Sequence, residues 1–333
     1  MDPTGWLWVA FTIGAAATQT ARNAMQRSLT ERLGTLGATH VRFLYGLPFG
    51  VALLAAVAAI AGLDGVRPSL PFLGWTVAGA VFQIAGTALM LAAMRERAFV
   101  VAIAYVKTEP VLIAAFGFLF LGDALSVTAL AAVLIATAGV LLMSLPTRAA
   151  PGAPTGGAAH ASPAAAAAAA KAAGAAPAPG NGAIAPRASL RPALLGVGSG
   201  AMFALSAVGF RGAILELGDA VFYVRSTFTL VTSLVIQTAM LSAWLWVRDR
   251  RVLLEVLRAW RPSLAAGAAG AFASQMWFLA FSLQTAAAVR TVGLVEILFA
   301  QAASRRLFSQ RTSPREMLGI ALMAAGLVLL LSA

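Results

Sequence analysis

Ten apolar runs, each close to the length of a membrane span, constrain this chain more than any other feature. They fall at 5–21, 36–62, 71–94, 98–121 and 124–145, then at 192–212, 220–247, 262–283, 286–308 and 315–332. A helix that crosses a bilayer needs roughly 20 apolar residues. None of the runs alternates polar and apolar residues as a barrel strand does, so helix is the predicted element throughout. Composition agrees: 60% of the 333 residues are hydrophobic and 11% are charged, against ~45–50% and ~25% in soluble domains. The sequence therefore predicts an all-α polytopic membrane protein with ten transmembrane helices.

Between the fifth and sixth runs lies a different kind of sequence. Residues 147–190 are Ala, Pro and Gly with few large side chains. Such a stretch buries too little apolar area to offset the entropy of ordering it, so it is predicted to be a disordered linker. His160 falls within it and reads as a solvated histidine. The linker divides the chain into residues 1–146, a first five-helix repeat, and 191–333, a second. Sliding one onto the other by 187 residues puts Glu109 on Glu296, Asp123 on Gln310, Ser126 on Ser313 and Gly139 on Gly326. Several matches in one gapless register make an internal repeat credible. An odd number of spans sends the second repeat into the membrane from the opposite side, so the two repeats are expected to be inverted.

Charge gives the orientation. The loops 22–35 and 95–97, the linker with its flanks, 248–261 and 305–315 hold 18 Lys and Arg, Arg22 among them, while the other side has only Arg67 and Arg211. Basic residues favour the cytoplasm, which places the linker there and both termini outside. The first run lacks the basic leader of a cleaved signal and reads as a retained span. No long targeting segment is visible, which fits a cell inner (plasma) membrane. The net charge of +12 does not point to nucleic acid, because the basic residues sit in short clusters between apolar runs, not on one solvated face.

The residues that close the halves carry a resemblance. A fivefold helical pattern repeated, an Arg early in each second span (HVRF with Arg42, YVRS with Arg225) and the stretch LFLGDALS resemble the drug/metabolite transporter superfamily, EamA type. The corresponding stretch of the second half, LFSQRTSPRE, departs from that pattern. The resemblance covers nearly all of the chain outside 147–190. It implies a carrier of ten helices with a central cavity and with the fifth and tenth helices at the periphery. It also implies a small-molecule substrate such as an amino acid or another metabolite, moved outward and often coupled to protons.

Ionisable side chains within a span are costly and seldom idle. Four cations and two carboxylates stand out: Lys107, Arg290, Arg42 and Arg225, with Glu109 and Glu296. Glu109 lies about 11 residues into its run, roughly 16 Å deep at 1.5 Å per residue, and Glu296 lies equally deep. Burial penalises a charged carboxylate, so the two are a candidate proton-exchanging pair. The bland alternative is that each pairs with a cation and holds helices together. Lys107 is two residues from Glu109, about 200° around a helix, so it is not that residue's intrahelical partner and is expected to face another helix, the cavity or, by snorkelling, a surface. Arg290 sits only some five residues into its run, so snorkelling to the interface is expected of it, and equally of Arg42 and Arg225, whose repeated placement keeps them as substrate candidates. Pro110 is predicted to kink the fourth span and free a carbonyl near Val106.

Other polar residues carry less. Gln83, Gln275 and Gln301 are expected to bridge helices, and Tyr105 and Trp277 to be core or interface anchors more than cavity lining. Cysteine is absent, which removes disulfides, thiolate ligands and cysteine nucleophiles. No grouping has metal-ligand or catalytic spacing, and GVGSG at 196–200 lacks the strand and GK[ST] of a phosphate loop. Neither a cofactor nor an enzymatic activity is expected. The weighed alternatives to a proton-coupled carrier are an uncoupled facilitator and a non-transporting scaffold or receptor that uses its linker as bait. Oligomeric state is left open.

Overall fold

The computed structural model describes residues 3–96, 106–144, 191–299 and 314–332. Tyr105, His160, Gln301, Gln310, Ser313, Arg305 and Arg306 lie outside them, as does the linker. The described residues of both halves pack as one unit, and they are helical with no strand.

The helices are α1 (Leu7–Leu44), α2 (Leu47–Ala61), α3 (Leu70–Glu96), α4 (Glu109–Leu121) and α5 (Val127–Ser144) before the linker. After it come α6 (Arg191–Leu215), α7 (Phe222–Arg248), α8 (Arg250–Arg258), α9 (Trp260–Leu283), α10 (Ala286–Val292) and α11 (Pro314–Ser332). Five stretches are long and apolar enough to cross a membrane: Leu7–Ala61, Leu70–Arg95, Leu194–Leu215, Phe222–Arg248 and Trp260–Leu283. Large apolar side chains face outward on them and on the shorter helices, among them Ile60, Leu70, Val127 and Leu194. Apolar surface on that scale suits lipid and not water.

The first helix differs from its prediction. Its apolar run was expected to end near 21, with 22–35 as a basic loop. Instead α1 continues, and its only non-helical residue is Gly34, at φ 68° and ψ 177°. A positive φ is strained for any residue with a Cβ, so glycine allows the chain to turn there between two helical stretches. Arg22, Asn23 and Gln26, the residues that interrupt the hydropathy, are buried in protein.

The most extensive helix pairs each take one member from each half. α1 packs on α9, α3 on α6, α2 on α7, α5 on α11, and α4 on both α6 and α10. Small residues make these approaches possible. A Cβ on Gly139 would stand 2.6 Å from Gly319 O, and one on Gly326 would stand 2.6 Å from Ala136 N. The two glycines aligned by the 187-residue register thus both lie at the closest approach of α5 and α11.

The described part of the fourth run, from Val106 on, is not one continuous helix. Lys107 and Thr108 form a turn, α4 begins at Glu109, and Pro110 sits in its first turn. There its missing N–H costs nothing, because the first amides of a helix lack intrahelical partners anyway. Pro110 therefore starts a helix, correcting its expected role as a kink within one. The other half breaks at the equivalent point without proline: α10 ends at Val292, a 3₁₀ turn covers Gly293–Val295, and helix resumes at Glu296.

The LFLGD stretch caps α4. Gly122 takes the left-handed conformation at φ 68° and its amide donates to Phe118 O, a common helix stop. Asp123 then accepts from Arg211 Nε at 3.0 Å. Arg211 Nη1 donates to Phe281 O and Gln284 O. The sequence placed Arg211 as a loop cation; it ties α4, α6 and the end of α9 together.

Candidate functional site: a buried ion-pair cavity

Both helix breaks open on one cavity of about 20 Å³, lined by residues of both halves. That is room for about one water. Of the sequence-predicted site residues, Lys107, Glu109, Glu296, Arg290 and Arg42 line it. The ion pairs run between halves. Lys107 Nζ donates to Glu296 Oε2, and Arg290 Nε stands 3.3 Å from Glu109 Oε1.

The two carboxylates are held differently. Glu296 is enclosed by donors: besides Lys107 it accepts from Gln19 Nε2 at 2.9 Å and Asn23 Nδ2 at 3.1 Å. Glu109 Oε1 has its cation but no aligned hydrogen bond. Break geometry explains part of this. Thr108 leaves α4 without a side-chain cap, so Glu109 stands at a helix N-terminus, where the dipole favours a negative charge.

Arg290 does not snorkel, correcting the expectation from its shallow position. Its guanidinium lies 4.1 Å from the centre of the Trp277 ring. A cation over indole at that range is held by roughly 0.5–2 kcal/mol. Trp277 Nε1 donates to Gln19 Oε1 at 2.9 Å, so one network runs from Arg290 through Trp277 and Gln19 to Glu296. Trp277 is accordingly cavity lining, where the sequence favoured an anchor. Arg42 is also buried and not at an interface. It donates to Thr87 Oγ1 at 3.1 Å and Ser274 Oγ at 3.2 Å. Arg225 does not join this group. It is half-buried, lies outside the cavity lining, and donates to Gly218 O at 3.1 Å.

Sequence reasoning missed Arg22, Asn23 and Gln19. Arg22 was counted among the cytoplasmic loop cations, yet it is 2% exposed and lines the cavity. Gln83 and Gln275 bridge helices as expected. Gln83 Oε1 accepts from Gln237 Nε2 at 2.7 Å, and Gln275 Nε2 donates to Thr227 Oγ1 at 2.9 Å.

Residues 6–145 match the EamA-like transporter family. The family is part of the drug/metabolite transporter superfamily, and its members are membrane transporters, not enzymes. The EamA-like match covers the helices that supply Gln19, Arg22, Arg42, Lys107 and Glu109. One solved crystal structure shares the fold at a TM-score of 0.61 and 15% identity, covering 98% of this chain and 94% of that one. No curated protein matches. The first half of this chain is thus similar to EamA-like transporters, and its long apolar helices support a multi-pass membrane protein.

Proposed function

We propose that this EamA-like chain is a secondary-active transporter of small polar metabolites, such as amino acids or organic anions. It works by alternating access and exports its substrate across the inner membrane with proton exchange at Glu109. The observation that carries this reading is the pair of helix breaks. Each half interrupts a helix beside its glutamate, and each glutamate is paired with a cation from the other half. Broken helices around a charged midplane site are the architecture that alternating access uses.

The ten-span, inverted topology belongs to the same reading. Leu7–Ala61 is 55 residues, about 80 Å at 1.5 Å per residue, far more than the ~30 Å hydrocarbon core. With its break at Gly34 it supplies two crossings. The packing exchanges first and third long helices between halves, α1 on α9 and α3 on α6, as two inverted repeats around a pseudo-twofold axis would. Helix breaks at equivalent residues support this as well. The linker then lies in the cytoplasm and both ends of the helical array on the opposite side.

The mechanism follows from the pairs. A cavity this small cannot hold a metabolite, so the helices must part for substrate to reach it. Parting them pulls Lys107 from Glu296 and Arg290 from Glu109. A proton on Glu109 removes the charge that holds Arg290, and a substrate anion offers the cations a replacement. Glu296, with three donors, keeps its place and serves as the anchor.

The test is proton flux in proteoliposomes under a pH gradient, read with an internal pH dye while amino acids and organic acids are added. Dissipation by one compound class, stopped by Glu109→Gln, is the expected result. Movement of labelled substrate without protons would make the chain an uncoupled facilitator. Deleting 151–186 should leave flux intact, whereas a scaffold would lose its partner.

A further inference from the structure

The cavity is lined by four cationic side chains, Arg22, Arg42, Lys107 and Arg290, and by two carboxylates. Lys107 and Arg290 are neutralised by Glu296 and Glu109. Among the described residues, neither Arg22 nor Arg42 has a carboxylate within ion-pair distance. Arg22 is 2% exposed, its Nε and Nη2 share the neutral Asn23 Oδ1 at 3.2 and 2.6 Å, and its Nη1 has no partner. Arg42 is 3% exposed; it donates to the hydroxyls of Thr87 and Ser274 and lies 5.3 Å from the centre of the Phe43 ring, all of them uncharged partners. Gly270 brings the two together: a Cβ there would lie 3.1 Å from Arg42 Cγ and 3.5 Å from Arg22 Cδ.

A guanidinium does not shed its charge in a protein, and an uncompensated buried ion is strongly unfavourable. Glu296 also acts on Arg22 across the cavity, yet four cations face two carboxylates, and that excess calls for an anionic occupant. In this closed arrangement each neighbouring acid already holds a cation, so none is left for an ammonium group. A zwitterion would therefore satisfy one end of itself and strand the other. Guanidinium forks match carboxylate and phosphate oxygens. We infer that the substrate is a small doubly charged oxyanion, a dicarboxylate or a phosphate, held between Arg22 and Arg42.

This inference rests on the carrier reading for its word substrate, and the two can fail separately. The purified full chain is titrated calorimetrically at neutral pH with succinate, inorganic phosphate, glycine and acetate, and its melting temperature is followed with each. Saturable binding of succinate or phosphate, with glycine and acetate unable to compete, is expected, and which of the two binds tells dicarboxylate from phosphate. Arg22→Gln and Arg42→Gln should each weaken it roughly 10- to 100-fold, the loss of a charge-assisted contact, while Arg251→Gln on α8 leaves it unchanged. Melts without ligand verify that each variant is folded. Glycine or acetate binding in preference to both dianions overturns the inference, and so does binding of neither dianion by the folded wild type. Dianion binding without flux in proteoliposomes refutes the carrier reading alone, and glycine flux without dianion binding refutes the dianion alone.

Discussion

Removing the charge of Glu296 strands Lys107, and the size of the effect follows from the surroundings. The ammonium is 6% exposed and the carboxylate 2%. At an ordinary charged contact of about 2.8 Å and an effective dielectric of ~20, their attraction is about 6 kcal/mol. Desolvation of the two ions costs several kcal/mol each, so the pair as a whole adds little to stability. Breaking it is another matter, because the surviving charge keeps its desolvation cost and loses its compensation. Glu296→Gln and Lys107→Gln should each destabilise by about 3–5 kcal/mol. The double variant should recover most of that loss, since two neutral amides in place can still hydrogen-bond. At ~2–4 °C per kcal/mol, each single variant melts roughly 6–20 °C lower and the double lies nearer to wild type. The assay is intrinsic fluorescence of the seven tryptophans during heating, in detergent; the cysteine-free chain offers no thiol for a dye. Strictly additive losses in the double variant would refute the pairing.

The same reasoning makes Glu109→Gln milder, about 1–3 kcal/mol, because Arg290 keeps its Trp277 stack after losing its carboxylate; comparison of the two Gln variants in the same melts checks it. Arg290→Lys should lose substrate flux at least tenfold in vesicles despite keeping its charge, since an ammonium neither stacks like a planar fork nor pairs two ways. Gly139→Val and Gly326→Val should each cost at least ~1–3 kcal/mol by forcing α5 from α11, and the melting temperature reads both. Asp123→Asn should lower stability by about 1–3 kcal/mol, because Arg211, 11% exposed at its side chain, loses its counter-charge.

How much of this was legible in the sequence depends on what each signal measures. Hydropathy finds lipid-facing surface, and it located the long apolar helices, while α8 lies in what it read as the basic loop 248–261. It also ended the first span where Arg22, Asn23 and Gln26 begin, because it cannot tell a polar side chain in water from one buried against protein. The repeat register singled out Glu109 and Glu296, and both line the cavity, since a gapless match needs no knowledge of partners. Their partners lie 189 and 181 residues away in sequence, Lys107 from Glu296 and Arg290 from Glu109 (296 − 107 and 290 − 109), and no local pattern reports such a pairing.

Depth counted along a run fails in the same way. Arg290 sits near the start of its apolar run, which argues for a side chain that reaches the interface. The count assumes a continuous helix with lipid around it. Here the helix is short, breaks at Gly293, and turns its first face toward Trp277 and Glu109. Once a span is broken, its ends are no longer at the membrane surface, and a residue near an end can lie at the centre of the protein. One sequence feature did hint at this. Lys107 and Glu109 flank a position that a continuous helix would place on opposite faces, and Pro110 follows at once. Two charges of opposite sign that cannot share a face, next to a residue that opens helices more readily than it continues them, describe a helix start. Read as a start and not as a kink, the segment puts Glu109 in the first turn of a helix, where the dipole favours a negative charge.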